Sequence, residues 1–175
     1  FLRLIADAVA NNLAPVNLLA LLKHPLTSMG YPRNSFKNLA TLLELTVLRG
    51  PRPNESIKGL SESLPKNEPD LNEFINKMGD ILDPLLSLPI DEDSSLAEIM
   101  LRLVRCAESL ATSDTLEGQE RLWIGDAGEE LTRFVSEILE WGGRLKIKPD
   151  RFGALLDELL AGRVVRSRNV THPRL

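Results

Sequence analysis

Apolar residues recur every three or four positions through nearly the whole of this chain, and that spacing restricts the fold class first. Leu96, Ile99, Met100, Leu103, Val104, Ala107 and Leu110 fall on one stripe of a helix. Leu71, Phe74, Ile75, Met78, Ile81 and Leu82 repeat the pattern, as do Leu131, Phe134, Val135, Ile138, Leu139 and Trp141. Strand-like alternation of useful length is lacking, with Val164-Val165 the one short exception. Aromatics are only 5% of the residues, so a leucine-packed core is expected and not an aromatic-rich sandwich. The expected fold is all-α, an irregular multi-helix bundle of about seven to nine helices by the count of periodic segments.

Taken in order, a first helix carries Phe1, Leu2, Leu4, Ile5, Ala8 and Val9 and ends near Asn11-Asn12. A second opens at Ala14-Pro15 and is apolar on most sides, which predicts burial all round; His24-Pro25 stops it. A third runs from Phe36 to Gly50, Pro51-Arg52-Pro53 forms a stiff connector, and a short helix lies around Ser56 to Leu64. Pro84 is expected to kink or restart the fifth helix. Ser95-Leu96-Ala97-Glu98 has the form of a capping box before the sixth. Leu122-Trp123-Ile124 is an apolar island in a broken stretch, expected to dock its tryptophan on the core, and Asp126 is placed to cap the next helix. Lys148-Pro149-Asp150 starts the last one, with Phe152, Leu155, Leu156, Leu159 and Leu160 buried.

Charge divides the chain into a helical domain over 1–162 and a basic tail over 163–175. The tail holds Arg163, Arg166, Arg168 and Arg174 without an acid, so the rest is more acidic than the net charge of -4. That balance excludes a protein that coats nucleic acid over its whole surface. The tail arginines are candidate contacts to DNA phosphates, or alternatively pair with acids of the body. A single cysteine, Cys106, excludes an internal disulfide and fits a reducing, cytoplasmic setting. No apolar run approaches the roughly 18 residues of a membrane span. The chain begins with a helical pattern already under way, as expected of an internal fragment of a longer protein.

No catalytic constellation emerges. His24 and His172 each precede a proline and, with one cysteine, do not supply a metal-ligand set; His24 is expected to hydrogen-bond the last carbonyls of its helix. Cys106 lies among apolar helical neighbours, where a thiol is a packing residue. The acid pairs Asp91/Asp93, Glu129/Glu130, Glu137/Glu140 and Asp157/Glu158 read as solvated surface. Gly118, Gly125 and Gly128 lack the Lys-Ser/Thr of a phosphate loop. No catalytic, cofactor-binding or metal-binding residue is assigned.

Three segments carry a resemblance. Ala14-Pro15-Val16 with Leu18-Leu19-Ala20-Leu21-Leu22-Lys23-His24-Pro25-Leu26 is one, and Arg121-Leu122-Trp123-Ile124-Gly125-Asp126-Ala127-Gly128-Glu129 is the second. The third is Gly162-Arg163-Val164-Val165-Arg166 with Thr171-His172-Pro173-Arg174-Leu175. Together, in this order, they resemble the AddB family, a subunit of the bacterial AddAB-type helicase-nuclease that processes double-strand DNA ends for recombinational repair. Asp126 stands where the family more commonly has glutamate, and Asn169-Val170 where an aromatic and a glycine are expected. The resemblance implies a longer parent with a helicase-like N-terminal part and a C-terminal nuclease domain, and an AddA partner that carries the motor. This chain would come from the helical part of the second helicase-like half. The family's ATP-site loop, nuclease acids and cluster-ligating cysteines have no matching positions here, so the implied work is mechanical: holding the DNA path or the partner subunit. A helical protein-interaction module without a DNA role is the alternative.

Overall fold

The computed structural model describes residues 1–89 and 91–163. Nine α-helices occur among them: α1 (Leu2–Ala10), α2 (Pro15–Leu22), α3 (Arg33–Leu43), α4 (Ile57–Glu62), α5 (Pro69–Leu86), α6 (Leu96–Ala111), α7 (Gly118–Leu122), α8 (Gly125–Trp141) and α9 (Phe152–Ala161). The helical stripes meet in one apolar cluster built around α6, which packs against α1, α5, α7 and α8. Its face of Leu96, Ile99, Met100, Leu103, Cys106, Ala107, Leu110 and Ala111 is buried, as the sequence spacing requires. Among the described residues no helix is long and apolar enough to cross a membrane.

Several elements depart from expectation, each for a local reason. α2 buries only Leu18, Leu21 and Leu22, and Val16 stands 80% exposed. The helix packs on α1 and on the segment after α3, which leaves its remaining side to solvent. α3 does not end as an α-helix but passes into a π-helical turn, Glu44–Leu48, whose wider ring is closed by Arg49 N donating to Glu44 O at 3.0 Å. Pro84 does not interrupt α5: it sits in the last turn, and its carbonyl accepts from Arg102 Nη1 at 2.9 Å. Proline has no N–H for the carbonyl one turn back, yet the helix continues past it to Leu86.

At the start of α6 Ser95 caps as expected, its hydroxyl accepting from Glu98 N at 3.1 Å, but Glu98 turns to Arg102 at 2.8 Å instead of back to the cap. Ser94–Ser95 (β1) also pairs antiparallel with Lys146–Ile147 (β2). Two-residue strands are too short to leave an alternating pattern in sequence. The island around Trp123 follows a true helical turn, α7. Asp126 is not the cap of α8; Ile124 occupies that position and Asp126 lies in the first turn, where a carboxylate still faces the positive end of the helix. Trp141 is 70% exposed at the far end of α8. The last helix is preceded by a 3-10 turn, Pro149–Arg151, and buries Phe152 and Leu156 fully, with Leu155, Leu159 and Leu160 half-buried.

The approach of α7 to α6 depends on a missing side chain. A Cβ at Gly118 would lie 1.7 Å from the Glu108 carbonyl oxygen, and Gly118 N donates to Thr112 Oγ1 at 3.1 Å. Backbone on both sides leaves nothing to yield. Gly118→Ala is expected to lower unfolding stability by about 3 kcal/mol. Gly143→Ala, where no atom lies within 4 Å, is expected to stay within about 0.5 kcal/mol; urea unfolding of both variants measures the difference.

Candidate functional site

A partly polar concavity lies where the chain leaves α2 and enters α3. It is a cleft of 380 Å³ lined by Lys23, His24, Pro25, Thr27, Ser28, Arg33, Asn34 and Lys37 around a floor that includes Leu22 and Phe36. Among the described residues no carboxylate lines it. The cations come from two elements: Lys23 from the exit of α2, and Arg33 and Lys37 from successive turns of α3. α3 begins with Arg33, has no side-chain cap and has no acid in its first turn. Like charges four residues apart, the first of them beside the positive end of a helix, repel one another. That frustration is the sequence signal that could have marked this site, and the sequence reading did not use it.

Thr27 and Ser28, from the loop over residues 27–30, form one wall of the cleft. Ser28 N and Met29 N both donate to Leu110 O, at 2.8 and 3.0 Å, and Gly30 N donates to Thr112 O at 2.6 Å. The loop thus satisfies carbonyls that α6 leaves open at its C-terminus. Arg121 completes the junction by donating to Ser28 Oγ at 3.0 Å, to Pro25 O at 3.3 Å and to Ala111 O. Because Ser28 Oγ accepts from Arg121, its own proton remains a donor. Trp123 Nε1 donates to Glu108 Oε1 at 2.8 Å, and a Cβ on Gly128 would lie 2.3 Å from the Trp123 carbonyl carbon. The Arg121–Gly128 stretch therefore acts as a clasp on α6.

His24 takes a different role from the one expected. Its Nδ1 accepts from Leu26 N at 3.2 Å, and its ring stacks on Phe1 at 4.7 Å between centroids. Burial holds its pKa below the usual histidine value, so the ring is neutral and carries its proton on Nε2. It closes the turn through Nδ1 and does not bond the last carbonyls of α2.

Glu44, which the sequence reading passed over, is 5% exposed in the π-helical turn. It accepts from Lys23 Nζ at 2.9 Å on one oxygen and from Arg49 Nη2 and Nε at 2.7 and 3.0 Å on the other. The bonds from Lys23 and then Arg49 hold its carboxyl below its ordinary value of 4.5. Lys23 is thereby fixed at the edge of the cleft.

Of the tail arginines, Arg163 is described and is engaged: its guanidinium pairs with Glu137 and, at 3.4 Å, with Glu130, and lies 4.8 Å over the Phe134 ring. Glu130 and Glu137 are thus partners of an arginine and not plain solvated acids. Arg166, Arg168, Arg174, His172 and Val164-Val165 lie outside the described residues. Cys106 is buried among apolar neighbours, and burial pushes its thiol up to about 12, which leaves it without thiolate character. Among the described residues no group of three or more His, Cys, Asp and Glu side chains is placed to hold a metal ion. Comparison with family models, curated proteins and solved structures finds no match.

The Glu44 geometry fixes a pH response. A carboxyl with a depressed folded pKa stabilises above its unfolded value, and that contribution is lost as pH falls through the folded one. Urea unfolding at stepped pH is expected to show stability level above 4.5 and falling below it. Glu44→Gln is expected to be less stable at neutral pH and to lose part of that acid dependence.

Proposed function

We propose that this chain is a non-catalytic helical segment of an AddB-type subunit, which works in the cytoplasm with an AddA-type partner on double-strand DNA ends. The observation that carries the reading is the cationic cleft: Arg33 and Lys37, exposed on α3, lie beside the Glu44-bound Lys23 on one concavity of a chain whose net charge is -4. Such a local reversal of sign favours a polyanion at one place without making the whole surface adhesive. The segments of resemblance support it from a second direction. Residues 14–26 supply the α2 exit and Lys23, and residues 121–129 supply Arg121 and the clasp that holds the cleft wall. In this reading the fragment steers DNA and leaves bond cleavage to other parts of the parent.

A helical protein-interaction module without a DNA role is the second reading, favoured by the exposed apolar group at the end of α8. Trp141 is 70% exposed, with Leu139 at 40% and Leu145 at 49% nearby in sequence. Partner-facing surface of this kind is apolar and aromatic.

Titration of a labelled duplex bearing a single-stranded end, repeated over salt, separates the two. The DNA reading expects a Kd on the order of micromolar and a log–log salt slope of about -2 to -3, as for two or three neutralised phosphates. No binding of the duplex at low salt would overturn the DNA reading and favour the interaction module.

A further inference from the structure

The short strand β2 pairs with β1 on one side only, and among the described residues no third strand joins the sheet. Its far edge is open by parity. Leu145 O accepts from Leu96 N at 2.9 Å, and two residues on Ile147 is paired with Ser94, so the Leu145 carbonyl and the Ile147 N–H and C=O face β1. A trans peptide holds its C=O and N–H on opposite sides, which turns Lys146 N–H, Lys146 O and Lys148 N–H away from β1. Among the described residues none of the three has a hydrogen-bond partner. The side chains along this edge are nearly of one sign: Arg144, Lys146, Lys148 and Arg151 are exposed and, among the described residues, make no ion pair, with Asp150 the one acid in that stretch. Beside the strand lies a hollow of 420 Å³ lined by Asp93, Lys146, Ile147, Lys148, Arg151 and Leu155. Its apolar members, Ile147 and Leu155, are half-buried and keep an accessible face. Lysines on a short edge strand commonly refuse further pairing. That refusal holds against neutral and cationic strands, whereas an acidic strand meets attraction in its place.

We propose that the far edge of β2 is a docking site for an extended acidic segment of a partner protein, added to the sheet as a third strand. Charge complementarity decides the occupant. Lys146 and Lys148 stand two residues apart on one face of an extended chain, about 6.8 Å along it, which is also the spacing of carboxylates at alternate positions of a peptide strand. Three cations against the one carboxylate of Asp93 leave the hollow positive. Ile147, on the opposite face of the strand, meets the apolar residue that lies between two such acids. A nucleic acid would find the same cations but has no ladder of N–H and C=O groups to offer the open edge. The hollow shares no lining residue with the cleft between α2 and α3, so this site does not rest on the DNA reading above.

Fluorescence anisotropy of the whole chain with a short labelled peptide of alternating glutamate and valine tests the site, beside two versions of that peptide N-methylated on every glutamate or on every valine. Alternate N–H groups of a strand face opposite edges, so one methylated peptide is expected to bind like its parent and the other to lose binding. Lys146→Glu/Lys148→Glu is expected to weaken the parent peptide at least about tenfold. Lys58→Glu/Lys66→Glu, which moves the same charge elsewhere on the surface, is expected to change it by no more than about twofold. All four lysines are exposed, so thermal unfolding of both variants should match that of the unaltered chain. An equal effect of the two methylations would overturn strand addition. Equal weakening in the two lysine variants would show that net charge alone draws the peptide, and would overturn the site. Displacement of the peptide by oligothymidylate, with affinity for the oligonucleotide also lost in the Lys146/Lys148 variant, would reassign the edge to nucleic acid. No binding of the parent peptide would overturn the proposal and leave the DNA reading untouched.

Discussion

The C-terminal carbonyls of α6 are the contact on which the rest of the site depends. A helix ends with carbonyl groups that have no partner within the helix, and when that end is buried they must be met from elsewhere. Here they are met by parts of the chain far apart in sequence. Leu110 O takes two backbone donors from the loop over residues 27–30, Thr112 O takes a third, and Ala111 O takes the Arg121 guanidinium. The loop has Met29 at φ 52 and Gly30 at φ 76, a left-handed pair that turns three successive N–H groups toward the helix end. For a methionine that conformation is strained, and it persists because the bonds to α6 and the burial of its side chain hold it. The cleft wall is therefore a by-product of helix capping.

A second constraint sits at the base of α3. Glu44 is a buried acid whose cost of desolvation is offset by two cations and three hydrogen bonds. The π-helical turn and this cluster coincide: Glu44 O accepts the wide-ring bond from Arg49 N while its carboxylate accepts from the Arg49 side chain. The same arrangement joins the end of α3 to the end of α2 and so sets the angle at which the two sides of the cleft open. Arg163 shows the opposite use of charge. It covers Phe134 and ties the end of α9 to α8, so its positive charge is largely compensated where it stands.

How much of this was legible depends on whether the cause was local. The stripe of α6 and those of α5 and α8 follow from spacing alone, and the all-α class with them. α7 leaves no period in the sequence because it has only five residues, and its position is decided by Gly118 pressing against Glu108. Pro84 predicts a break in α5, but the helix runs through it to Leu86, and the Pro84 carbonyl is held by Arg102. Asp126 has the chemistry of a cap but stands in the first turn of α8, directly after Gly125 at a left-handed φ of 69. The cleft was least legible. Arg33 and Lys37 are ordinary in sequence, and they become a site only when Lys23 and the loop over residues 27–30 are folded beside them. The arginine-rich end is the more conspicuous charge in sequence, yet its one described member is already paired.

The hydrogen bond from Arg121 to Ser28 spans 93 residues and the one to Pro25 spans 96. Helical proteins fold fast when their contacts are local, and closing a long loop costs entropy before any contact is gained. α1 to α3 can therefore form early, whereas the cleft wall cannot set until α6 and α7 have emerged and closed over it. A ribosome releasing this chain from its N-terminus would expose the cations of α3 well before the loop that shapes their cleft is locked. The cleft is thus assembled among the last parts of the fold, and whatever disturbs the α6–α7 junction is felt there first.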